Sequence, residues 1–83
     1  MNYELSQHAL DILRERGISR EWLERVILQP VLTKPDSVDG ALEHRLGKIA
    51  EFDNRVLRVI VNVQVKPVRV VTAYFDRTMK GTL

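Results

Sequence analysis

The chain has 83 residues, which is room for one domain and not for two. It contains no cysteine, excluding a disulfide scaffold and any cysteine-based zinc site, and its two histidines are too few for a histidine-rich metal centre. A formal net charge of +2 conceals an uneven distribution: residues 1–40 carry five basic and seven acidic side chains, whereas residues 41–83 carry eight basic and four acidic ones. The second half is therefore the part that attracts polyanions, although exposed strand positions are also often basic for solubility and edge protection.

Hydrophobic content of 45% and charged content of 29% are those of an ordinary globular domain. No apolar run approaches the roughly 18 residues that span a bilayer. Residues 1–13 lack the basic region and pure apolar stretch of a signal peptide. A cytoplasmic protein with no membrane contact is the expectation.

Ser6 is suited to cap a first helix over residues 7–16, and Gly17 to stop it. Leu5, Ala9, Ile12 and Leu13 recur at helical spacing and predict its buried face. Ser19 caps a second helix over residues 20–29, with Trp22, Leu23, Val26 and Ile27 as its apolar stripe and Pro30 as its end. Residues 30–40, with two prolines, two aspartates and Gly40, read as a loop with room for a brief strand at 31–34. Beyond Ala41 the helical period disappears. Residues 42–52 read as a strand kinked at Gly47, and Asp53-Asn54 as a turn whose residues tolerate a left-handed backbone. The strongest alternation covers 56–65, with Leu57, Val59, Val61, Val63 and Val65 on one face. Lys66-Pro67 breaks it, and 68–75 forms a last, central strand apolar on both faces. Residues 77–83 form a polar tail. The fold class is α+β: a helical region at 1–29 packs on an antiparallel sheet of three to four strands within 41–76.

The residues able to carry chemistry are few. His8, in the first turn of helix one, suits a general acid or base, or an ordinary surface histidine. His44 lies between Glu43 and Arg45, and alternation forbids the three from clustering on one face. Arg45, Arg58 and Arg69 fall on three different strands. If they converge, they can clamp a phosphate and stabilise a phosphorane; if not, they decorate a solvated face. Thr72 and Tyr74 share a face of the last strand, where tyrosine can stack on a base or donate a proton and threonine can position a phosphate. No nucleotide-binding glycine loop, serine-hydrolase elbow or zinc-protease motif occurs, and no cofactor is called for.

The order Ser6-Gln7-His8-Ala9-Leu10, Glu15-Arg16-Gly17-Ile18-Ser19, Pro30 and Val70-Val71-Thr72-Ala73-Tyr74 resembles domain of unknown function 4258, over about residues 3–76. That family is placed near the RelE-like and BrnT-like toxins, in the barnase–EndoU–colicin–RelE group of metal-independent ribonucleases. The resemblance implies a RelE-like fold with a curved sheet, RNA as substrate and an antitoxin partner. It implies His8 as the motif histidine, Arg16, Arg45 or Arg58 as phosphate ligands, and Thr72 or Tyr74 at the floor of the site. One departure stands out: Ile12 occupies a position where members often carry arginine. Three readings stay open: a toxin-type endoribonuclease, with His8, Arg58 and Tyr74 as catalytic candidates and Arg16, Arg45, Arg69 and Thr72 as RNA ligands; a non-catalytic nucleic-acid- or protein-binding module; and a homodimer paired through its sheet edge.

Overall fold

Two serines and a glycine set the helical half. The computed structural model describes residues 3–83; Met1 and Asn2, the start of the expected helical region, lie outside them. Helix α1 spans Gln7–Arg16, its first turn capped by the Ser6 hydroxyl, which accepts from the Ala9 N–H at 3.0 Å. It ends at Gly17, whose left-handed φ of 64° suits glycine. Helix α2 spans Arg20–Leu28, starts on Ser19 in the same way, and stops before Pro30.

The sheet has five strands, not the three to four expected: β1 (Tyr3–Leu5), β2 (Leu32–Pro35), β3 (Leu42–Ile49), β4 (Arg55–Asn62) and β5 (Val68–Phe75). Their spatial order is β1-β5-β4-β3-β2. Nor is the sheet purely antiparallel, because β1 pairs with β5 in parallel. A three-residue strand is too short to show a period, so Leu5, read by its spacing as part of the helical stripe, sits in β1. Tyr3 ties that edge to α2 by donating its hydroxyl to Glu24 Oε1 at 2.7 Å and accepting from Arg20. At the opposite edge, Pro35 closes β2 where a missing ladder donor is tolerated.

Both helices pack on one sheet face. The core joins Ala9, Leu13, Leu23, Val26 and Ile27 to Ile49, Leu57, Val59, Val61, Val70 and Ala73. Trp22 lies at the rim of this core rather than in it, against Phe52 and Phe75. Strand β3 keeps its register with β4 through Gly47, and the missing side chain there lets α2 approach, since a Cβ would stand 3.0 Å from Val26 Cγ2. Strand β3 stops at Ile49 and gives way to a 3₁₀ turn over Ala50–Phe52, followed by the expected turn, with Asp53 and Asn54 at φ 57° and 54°. Strand β4 ends at Asn62, three residues before the end of its valine alternation, because the Asn62 side chain accepts the Gln64 N–H at 2.9 Å and turns the chain.

An irregularity in β5 has the largest effect on the site. Val61 pairs with Val70 but Ile60 pairs with Thr72, leaving Val71 as an extra residue. Val70 and Ala73 are three apart and would point to opposite faces of a regular strand. With the bulge both are buried in the core, and Arg69, Thr72 and Tyr74 share the other face.

Val26 is β-branched, helical and fully buried, so it has no spare rotamer with which to yield to a larger residue 47. Gly47→Ala is expected to cost about 1–3 kcal/mol by overpacking. The same change in a Val26→Ala background should cost clearly less. Urea unfolding of the four proteins checks this, and an equal cost in both backgrounds would contradict the close-approach reading.

Candidate functional site

The sheet face away from the helices carries a continuous chain of polar side chains. Asp36, in the loop after β2, accepts the N–H groups of Asp39 and Val38 on Oδ2 and His44 Nε2 on Oδ1 at 2.7 Å. Across to β4, Arg58 Nη1 stands 2.8 Å from His44 Nδ1. A guanidinium only donates, so Nδ1 must accept, and the imidazole hydrogen sits on Nε2 and points at Asp36. Arg58 Nε and Nη2 both reach Asp76 Oδ2, at 2.9 and 2.7 Å. Asp76 Oδ1 then accepts the Thr78 N–H at 3.0 Å and hydroxyl at 2.6 Å. Both imidazole nitrogens and three guanidinium nitrogens are thus engaged within the protein.

Asp76 begins the tail, which folds back instead of trailing away. Its N–H donates to Val56 O at 2.9 Å, its carboxylate caps a 3₁₀ turn over Arg77–Met79, and Lys80 Nζ meets Asp53 Oδ2 at 2.9 Å. This places Arg77 and Lys80 at the end of the sheet where β5 finishes and β4 begins. There they join Arg16, Arg55, Tyr74 and Asp76 around an open cleft of about 620 Å³. Arg16 reaches it because β1 covers only Val68–Val70, leaving the later edge of β5 unpaired; Nη1 donates to Ala73 O at 2.8 Å. The cleft therefore gathers four cationic side chains against one carboxylate that Arg58 already engages. A smaller recess of about 410 Å³, lined by Lys34, Pro35, Ser37, Asp36, His44 and Arg58, adjoins the same polar chain.

The residues singled out from the sequence separate into groups. Arg16 and Tyr74 line the cleft. Arg58, opposite Tyr74 across the strands, lies behind it and holds Asp76. Thr72 lies on the same face, opposite Ile60. The three strand arginines do not converge. Arg45 points to the helix face, where it donates to Ile27 O at 3.0 Å at the end of α2 and pairs with Glu43 at 2.7 Å, a cation placed where the helix carbonyls want one. Arg69 shares a face with Arg58 but is paired with Asn62, four residues further along β4 or roughly 13 Å away, and meets Glu4. His8 is exposed on α1 and lines neither concavity. Ile12 is buried, so the position that departs from the family pattern is filled by packing. Among the described residues, no three of His, Cys, Asp and Glu come together, and no helix is long and apolar enough to cross a membrane.

Arg55, Arg77, Lys80, Asp76 and the Asp36–His44 pair carry the site without having been singled out for it. The Asp76-Arg77-Thr78 run has the form of a capped turn and was the available signal. Nothing local tells that Asp36 lies beside His44.

The Asp39 N–H, then His44, then the Val38 N–H hold the Asp36 carboxyl at about 2, below its ordinary 3.8. Thr78 first, with Arg58, lowers that of Asp76. A carboxyl depressed in the folded state contributes stability that is complete above its unfolded value and lost as the pH falls through its folded value. Stability should therefore decline from about pH 4 towards about pH 2, and Asp36→Asn should flatten part of that decline. The remainder includes Glu51, held at about 2 by Arg25. Thermal unfolding across this range checks it; an unchanged acid slope in Asp36→Asn would contradict the assignment.

A family model described as Domain of unknown function (DUF4258) matches residues 5–75. No curated protein and no solved structure matches significantly. The matched stretch runs from the end of β1 to the end of β5 and holds Arg16, Arg55 and Tyr74, while Asp76, Arg77 and Lys80 follow it. The chain belongs to the DUF4258 family.

Proposed function

We propose that this domain binds RNA in the cationic cleft and cleaves it there without a metal ion, as the toxin of a cytoplasmic toxin–antitoxin pair. The observation that carries the reading is the gathering of Arg16, Arg55, Arg77 and Lys80 around Tyr74 in one open concavity. Guanidinium groups bind phosphate oxygens bidentately, and their charge counts most where negative charge develops, on the non-bridging oxygens of a phosphorane. Tyr74 lines this concavity, where a hydroxyl can reach a phosphate or leaving-group oxygen.

The reaction that suits these groups is attack of a ribose 2′-oxygen on its own 3′-phosphate. The 2′-O–P bond forms and the P–O5′ bond breaks. Tyr74 donates its proton to the departing 5′-oxygen, and water takes the 2′-hydroxyl proton. The products are a 2′,3′-cyclic phosphate and a 5′-hydroxyl end. Arg58 is a positioning residue here, holding the carboxylate that seats Arg77 and Lys80. The placement of the DUF4258 family near the RelE-like toxins supports the toxin role and the antitoxin partner, and a kinship of fold by itself does not carry function.

A second reading has its own support. His8 lies outside the cleft and both His44 nitrogens are engaged, so no imidazole stands ready as a base. General-base catalysis contributes about 10²–10⁴-fold, and without it a pure RNA-binding module is the competing reading.

Incubating the protein with end-labelled RNA in EDTA separates the two. Cleavage leaving cyclic phosphate ends, reduced about 10²-fold in Tyr74→Phe with binding retained, is the expected outcome. Salt-sensitive binding with intact RNA in both EDTA and Mg²⁺ would overturn the nuclease and leave the binding module. Absence of both would overturn each.

A further inference from the structure

Behind the cleft stands a cluster of three aromatic rings contributed by α2, the turn after β3 and the end of β5. Trp22 and Phe52 stack with centroids 5.4 Å apart and planes 22° from parallel. Phe75 meets them edge-on at 6.0 and 5.0 Å. Each ring braces the other two, so the Phe52 ring is held from two sides. The Arg55 guanidinium lies over Phe52, its carbon 4.5 Å from the ring centroid. Arg55 is exposed and lines the cleft beside Phe75. Among the described residues its guanidinium makes no hydrogen bond or ion pair, and the neighbouring Asp53 carboxylate meets Lys80.

A guanidinium is a flat cation with two faces, and its N–H donors point outward in its own plane. The Arg55 guanidinium carbon stands over the Phe52 ring. Among the described residues no second ring lies over it, and its N–H donors make no hydrogen bond, which leaves them for a phosphate. A flat group with a π-face completes such a stack, as bases do on arginine planes in single-stranded RNA. Bases within a duplex are already stacked on both sides and gain nothing from it. We infer that Arg55, seated on Phe52, is the stacking platform for one unpaired nucleobase, so that the cleft selects single-stranded over double-stranded RNA. The inference rests on the RNA reading above and adds the substrate class to it.

Arg55→Lys separates stacking from charge, because lysine keeps the cation and loses the plane. The probe is a single-stranded oligonucleotide with 2′-O-methyl riboses, which resists cleavage, carrying one 2-aminopurine; its duplex serves as the comparison. Wild type should bind the single strand more tightly than the duplex and quench the 2-aminopurine. Arg55→Lys should bind the single strand about tenfold more weakly, with the quenching lost and the dependence on salt unchanged. Its duplex affinity should not move. If Arg55→Lys binds and quenches as wild type does, the platform is refuted while the RNA reading stands. If wild type binds neither form, the RNA reading falls and takes the platform with it.

Discussion

One partly buried ion pair joins the two halves of the polar chain on the open face of the sheet. The side chains of Arg58 and Asp76 are 13% and 12% exposed, and each spends only part of its bonding capacity on the other. Arg58 has Nη1 left for His44, and through it Asp36 and the loop after β2 are drawn in. Asp76 has Oδ1 left for Thr78, which sets the turn that carries Arg77 and Lys80 to the cleft. Removing either partner would leave the other charge desolvated, which is the costly way to lose such a pair. The tail, the β2 loop and the cleft therefore stand together.

The basic side chains divide by what they touch. Arg45 closes the end of α2, Arg25 is bound bidentately by Glu51, and Arg69 meets Glu4. These cations hold elements together. Arg16 does so in part, filling an unpaired strand edge while it lines the cleft. Arg55 and Arg77 alone among the cleft arginines make no ion pair or side-chain hydrogen bond within the described residues. The excess positive charge of residues 41–83 is spread over both roles: Arg45, Arg58 and Arg69 are paired on their strands, while Arg55 and Arg77 stand at the end of the sheet where the cleft opens.

Much of the fold could be read locally. Ser6, Ser19 and Gly17 delimit the helices through their own side chains or backbone freedom, and Asp53-Asn54 and β5 fall where turn chemistry and apolar runs put them. What escaped depends on partners distant in sequence. The parallel strand at Tyr3–Leu5 exists because Val68–Val70 lies beside it. Gly47 answers to Val26, and simple alternation along β5 cannot foresee the bulge at Val71 that returns Arg69 to the face of Thr72 and Tyr74. The site was legible only in part for the same reason. Arg16 and Tyr74 line the cleft, whereas His8 stands on an exposed helical turn and Arg45 lies under α2, and the capped turn signalled by Asp76-Arg77-Thr78 does not by itself tell where the tail folds back.

The cleft as the place where RNA binds is tested most directly by amide NMR on the ¹⁵N-labelled protein titrated with a short single-stranded RNA. Shifts confined to the amides around Arg16, Arg55, Tyr74, Arg77 and Lys80 are the predicted result. Shifts centred on His8 and the start of α1, with the cleft amides unmoved, would contradict it.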